Sequence, residues 1–163
     1  MKTLFIFIFS LAALTAMAQQ QFGIRGGELS GLSYRQFDDP DHCIEVLLAD
    51  RYNGLQVSLF TENFRPVLTE YSENISLYTG FGAHAGFSSS KHYLYNEDKE
   101  DSFYRLRTGP LAGVDFVCGL EYRFNKFPVT VGIDYNPYAE LSFADIFRVS
   151  IWNFGTTVRY TFK

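Results

Sequence analysis

Leu77-Tyr78-Thr79-Gly80-Phe81-Gly82-Ala83-His84-Ala85-Gly86-Phe87 is the stretch that decides how the rest of the chain is read. Leu77, Thr79, Phe81, Ala83, Ala85 and Phe87 share one parity. Tyr78, Gly80, Gly82, His84 and Gly86 share the other. A period of two marks a β-strand, whose successive side chains point to opposite faces. One face here is apolar. The other is glycine-rich and carries an ionisable group at mid-strand.

The same pattern recurs along the chain. Phe22 and Ile24 alternate with Gly23 and Arg25. Ile44, Val46 and Leu48 alternate with Glu45, Leu47 and Ala49. Leu55, Val57 and Leu59 alternate with Gln56, Ser58 and Phe60. Val114, Phe116, Cys118, Leu120, Tyr122 and Phe124 alternate with Asp115, Val117, Gly119, Glu121 and Arg123. Val129, Val131, Ile133 and Tyr135 alternate with Thr130, Gly132, Asp134 and Asn136, and Phe154, Thr156, Val158, Tyr160 and Phe162 with Gly155, Thr157, Arg159 and Thr161. No segment from Gln19 onward keeps a helical period over three turns.

Asn53-Gly54 sits between two alternating runs and predicts a hairpin. Asn125-Lys126-Phe127-Pro128 predicts a tight turn. Gly109-Pro110 is expected to open a strand, where a missing N–H does little harm. Two long connections are expected, at 88–108 and 138–149. The pattern supplies seven strands, whereas single-chain bacterial barrels have an even number. An eighth is expected within Leu29 to Phe37, Phe64 to Ser72 or Phe103 to Thr108.

Composition agrees. Phe 17, Tyr 11 and Trp 1 make 18% of the 163 residues, yet mean hydropathy is near zero. Alternation produces that combination, because apolar and polar faces cancel along every strand. The formal charge of −4 offers no footprint for nucleic acid. Residues 1–18 read as a cleaved signal peptide: Lys2 supplies the positive end, Leu4 to Leu14 the apolar run, and Ala16-Met17-Ala18 the cleavage site. The domain expected to fold is 19–163. Cys43 and Cys118 each lie in a strand-like run with nothing to make them neighbours, so they are expected as free, buried or lipid-facing residues.

The polar parity separates a membrane barrel from a soluble one. A soluble barrel that carries a small apolar ligand turns its apolar parity inward. In this chain the polar parity mixes glycines with Arg25, Glu45, His84, Asp115, Glu121, Asp134 and Arg159. That suits a narrow interior in which acids and bases must pair. Tyr52, Tyr122, Phe124, Tyr135, Tyr138, Tyr160 and Phe162 stand near strand ends, where a membrane barrel carries aromatic girdles. The expected fold is all-β: an antiparallel up-and-down transmembrane β-barrel of eight strands, monomeric.

Trp152 to Lys163 resembles the C-terminal signature of outer-membrane barrel proteins, an alternating strand with an aromatic next to the terminus. That resemblance implies recognition by the barrel assembly machinery. Phe22 to Gly27, Asn53 to Val57, Tyr78 to Phe87, Gly119 to Phe124 and Ile133 to Pro137 resemble small, porin-like outer-membrane β-barrel proteins of the Bacteroidota, similar in size to the OmpX and OmpA barrel domains. The resemblance implies the cell outer membrane, with its bilayer and lipopolysaccharide as surroundings. It transfers no catalytic residue.

The chemistry-bearing residues read the same way. His84 lies among glycines, and the spacing of Ser88 to Ser90 does not make a His–Ser pair of the lipid A-trimming kind. An interior partner, Tyr78 or a carboxylate, is expected instead. Asp115, Glu121 and Asp134 are expected to pair with Arg25, Arg123 and Arg159. The acidic run Glu97 to Asp101 lacks the calcium-loop pattern, and His42, His84 and His92 lack metal-ligand spacing. No catalytic residue, cofactor or metal is therefore expected. Tyr93, Tyr95 and Tyr104 make the loop 88–108 a candidate adhesive surface for an extracellular ligand. The reading is a structural or surface-interaction protein with a filled lumen and no open pore. The alternatives are a lipid-modifying enzyme using His84 and loop hydroxyls, and a soluble periplasmic carrier.

Overall fold

A computed structural model describes residues 19–162, apart from 52–53, 95–102 and 144–146; for 89–94 and 103–108 it describes the backbone. Ten strand segments follow one another: β1 (Gln20–Gly27), β2 (Ser30–Asp39), β3 (His42–Arg51), β4 (Gly54–Pro66), β5 (Ile75–Leu94), β6 (Phe103–Arg123), β7 (Val129–Tyr135), β8 (Tyr138–Ser142), β9 (Arg148–Ser150) and β10 (Phe154–Phe162). Each of β1 to β5 pairs antiparallel with its successor, and β1 pairs with β10 to close the sheet. Closure leaves no long unpaired edge, which is how an all-β sheet avoids edge-to-edge association.

Ten segments make eight barrel strands. β7 and β8 lie end to end against β6 in one register, from Cys118↔Tyr135 to Asp115↔Tyr138. The gap between them is Asn136-Pro137, and proline has no N–H to give a ladder. β9 and β10 also form one strand, broken by a bulge. Tyr135 faces Phe154 and Tyr138 faces Ser150, so Asn136 and Pro137 oppose Ile151, Trp152 and Asn153. The extra residue turns both Ile151 and Trp152 outward.

The register winds as it goes round. Arg159 faces Gly23, which faces Ser33; the path continues through Leu47, Ser58, His84, Gly113 and Glu140 and regains the last strand at Arg148. It returns displaced along the strand it left, as tilted strands in a closed barrel require.

The eighth strand is β2, at the first of the three expected places. Its inner face holds Ser33 and Arg35 and its outer face Leu32 and Tyr34, but Phe37 turns inward and Gln36 outward, which blurs the period. Three other expectations are corrected. The segment 88–108 is largely a hairpin: pairing between β5 and β6 continues to Leu94↔Phe103. Beyond the level of Gly54 and Phe143 no other strand among the described residues pairs with this ribbon, so it projects from the barrel. Gly109-Pro110 therefore lies inside β6 and does not open it. The segment 138–149 is mostly strand, reduced to a connection at 143–147. Local ladders carried these chains past the points where the apolar period faded.

The Asn53 hairpin holds to the extent that Arg51 pairs with Gly54, with 52–53 outside the described residues. The acidic run and Tyr95 also lie outside them. The strand ends at Gly27, Ser30, Arg51, Gly54, Leu94, Phe103, Ser142 and Arg148 share one end. Gln20, Phe162, the turn at Pro40-Asp41 and the segments 67–74 and 124–128 share the other.

Candidate functional site in the barrel interior

Inside the sheet the expected polar parity converges. Arg25, Arg35, Arg51 and Arg159 are buried there with His84 and six carboxylates: Glu45, Glu62, Asp115, Glu121, Asp134 and Glu140. A closed barrel of eight strands has room only for side chains, so each charge must find its partner within the barrel.

Two clusters stack along the axis. Around Arg35, three carboxylates share one guanidinium: Glu45 at 2.6 Å, Glu62 at 2.9 Å and Glu121 at 2.9 Å. Tyr78 lies under the same guanidinium, with 4.6 Å from its central carbon to the ring centroid. Arg159 supplies a second cation to Glu45 at 3.1 Å and donates to Ser33 and Thr157. Ser33 in turn donates to Glu45 at 2.6 Å. Beside this group Arg25 holds Asp134 through two of its nitrogens and donates to the Leu29 carbonyl. Planar guanidinium suits such shared binding, since its donors form a fixed fork.

The second cluster lies toward the end that bears the β5–β6 hairpin. Arg51 donates to Glu140 and to the Tyr138 hydroxyl, each at 2.7 Å, and to Gln56 at 3.0 Å. His84 Nδ1 is 2.7 Å from Asp115, and Nε2 is 3.4 Å from Glu140. The edge of the imidazole meets the Tyr138 ring with centroids 5.6 Å apart. Between the clusters, Leu47, Phe60 and Val117 point inward from β3, β4 and β6. The space left among Arg25, Glu45, Glu62, Tyr78, Arg159 and this apolar layer is about 10 Å³, room for about one water.

The glycines of the inner parity make this filling possible. A Cβ on Gly113 would strike the His84 ring, one on Gly119 the Tyr78 ring, and one on Gly155 the Arg25 guanidinium. Each large side chain crosses over the glycine of the adjacent strand.

Of the expected pairings, Arg25 with Asp134 is present. Asp115 meets His84, not an arginine, which also gives His84 its interior carboxylate. Glu121 meets Arg35; Arg123, 44% exposed at the rim, stands 3.8 Å away. Arg159 meets Glu45. The period did not bring Arg35, Arg51, Glu62 or Glu140 to notice. Arg51 and Glu62 continue the parities of Glu45 and Ser58 and were legible by extension. Arg35 lay in the blurred strand and Glu140 in an expected loop. Tyr138 is corrected from the outer girdle to the interior, because β8 keeps the parity of β7.

Cys43 faces the interior and Cys118 shares the outer parity of Leu120; both are free. Opposite faces of the wall keep their sulfurs apart. Among the described residues no group of three or more His, Cys, Asp or Glu is placed to hold a metal ion. Among the described residues the apolar parity faces outward, opposite to the inward apolar lining that the carrier alternative requires. What the interior does chemically is pair its own charged groups, four arginines and a histidine against six carboxyls.

No family model matches the chain, and no curated protein does. Among solved structures, the chain is similar to the crystal structure of the N-terminal β-barrel domain of Pseudomonas aeruginosa OprF, at 15% identity and a TM-score of 0.48, over 89% of this chain and 96% of that one.

Proposed function

We propose that the chain is a small outer-membrane β-barrel protein with a structural or surface-interaction role, its lumen filled by side chains and closed to diffusion. The observation that carries this reading is the distribution of burial. Ile24, Leu59, Val114, Ile133 and Val158 lie exposed on the outside, while the contacts of Arg25 with Asp134, Arg35 with Glu45, Arg51 with Glu140 and Arg159 with Glu45 are buried within. In water such an outer face would forfeit ~25 cal/mol for each Å² of apolar surface left wet, and contiguous apolar patches of that extent are rare on soluble monomers. In a bilayer it meets hydrocarbon.

Aromatic residues at the two ends of the outer face support the same reading. Trp152 and Phe154 stand at the bulge between β9 and β10, and Tyr160 and Phe162 at the C-terminal end of β10, as two interfacial girdles do. The termini and short turns then belong to the periplasmic side. The β5–β6 hairpin faces out and is the proposed contact for an extracellular ligand. The bilayer and lipopolysaccharide surround a monomer, and the C-terminal strand is the segment for the assembly machinery to read.

The test is a gel of outer-membrane fractions, boiled and unboiled. A closed barrel resists detergent when cold, so the protein is expected in that fraction with a mobility that shifts on boiling. Recovery in the soluble periplasm with no shift would overturn the proposal.

A further inference from the structure

Thirteen glycines occur in the chain. At twelve of them an added Cβ would press on a neighbouring atom, so packing accounts for the absence of a side chain. Gly26 is the exception: the nearest atom to its Cβ would be Thr156 Oγ1, at 3.8 Å, an ordinary contact. Its backbone is not in the left-handed region either. Neither sterics nor backbone asks for glycine there. What Gly26 does is leave a notch in the outer face.

The register places that notch in context. Leu120 faces Ile133, Ile133 faces Thr156, and Thr156 faces Gly26, so four adjacent strands present one outward row. Side-chain size falls along it toward Gly26. Above the row stand Tyr135 and Phe154, neighbours with ring centroids 5.0 Å apart. Between row and rings runs a groove of about 650 Å³. A second hollow of about 430 Å³ lies on the other side of the same row. The groove's size falls within the ~300–1,000 Å³ of small-molecule sites. Asp134 borders it through its backbone only, because its carboxylate is held inside by Arg25.

We propose that this groove holds one acyl chain of a bilayer lipid. The inference rests on the membrane reading above. A flexible apolar chain is the ligand this lining can recognise, since it offers no charged partner. The groove is continuous with the outward apolar band, and the medium which that band meets is lipid hydrocarbon. Against a smooth wall a chain contacts the protein along one side; here Tyr135, Phe154 and the row flank it, and the dispersion contacts add. Gly26 keeps the end of the groove open.

The experiment uses the whole protein in phosphatidylcholine vesicles carrying a trace of phosphatidylcholine with a diazirine in mid-chain. Irradiation and peptide mass spectrometry map the adducts. Adducts on 118–120, 133–135 and 154–156 are expected several-fold above those on the outward residues of β3 and β4. Gly26→Trp is expected to remove that excess while leaving β3 and β4 unchanged; Gly26→Leu, a smaller filling, decides the matter if the tryptophan variant loses its heat-dependent mobility. Even labelling round the barrel, or an excess undiminished by a folded filling variant, would overturn the groove. Absence of adducts on every strand would instead overturn the membrane reading.

Discussion

Glu45 and Val46 are neighbours in sequence and opposites in surroundings. Glu45 is 3% exposed, bound to Arg35, Arg159 and Ser33; Val46 is 38% exposed and has no polar role. The same contrast runs round the sheet. Its inner face carries the ion pairs, with an apolar layer among them; its outer face is apolar and points away from the barrel. In a water-soluble domain these assignments are reversed. The difference teaches that the backbone ladder supplies the barrel's framework, while the two faces are matched to different media. An inner charge depends on one specific partner, whereas an outer apolar residue depends only on what surrounds the protein.

The largest effect is expected inside. Arg35→Met leaves Glu45, Glu62 and Glu121 with Arg159 as their remaining buried cation. Breaking a buried pair in this way costs about 3–5 kcal/mol, read as a lower urea midpoint in detergent micelles. Adding Glu62→Gln is expected to return part of the loss, because it removes one of the three buried carboxyls that Arg35 held. A midpoint unmoved by Arg35→Met would break the comparison.

On the outer face, Leu59→Arg tests the medium. In a bilayer a mid-strand arginine costs about 2–4 kcal/mol at the midplane; in water the same exposed arginine costs almost nothing. Unfolding measured in vesicles separates the two cases. A smaller effect is expected at the second cluster. His84→Leu leaves Asp115 without its imidazole donor, at a cost of about 1–3 kcal/mol, again read as a urea midpoint. A double variant whose loss departs from the sum of the His84 and Arg35 losses would show that the two clusters form one coupled network.

The smallest effect is chemical. Cys118 sits on the outer face and Cys43 within. A membrane-permeant maleimide is expected to label Cys118 in the folded barrel and Cys43 only after unfolding. Reversal of that order would invert the inside–outside assignment of β3 and β6.

Most of the barrel was legible because a sheet with two different faces writes its period into the chain. Phe81 to Phe87 and Val114 to Phe124 needed no partner to be read. The period failed where polarity was inverted on an unbroken parity, with apolar Phe37 inside and polar Gln36 outside in β2, and where a strand carried few apolar residues, in the outer parts of β5, β6 and β8. The identity of the charge partners was less legible. Periodicity says that Glu121 points inward, but whether it meets Arg35 or Arg123 depends on which strands become neighbours and on how far the register winds.

The sequence by itself determined the strand period, the polarity of each face and therefore the all-β class with charges inside, because alternation is local and every strand repeats it. The tertiary structure alone decided the closure of β1 on β10, the bulge that turns Ile151 and Trp152 outward together, and the sharing of Arg35 among three carboxylates. These depend on register summed over the whole circuit. That is a non-local quantity, set when the last strand finds the first.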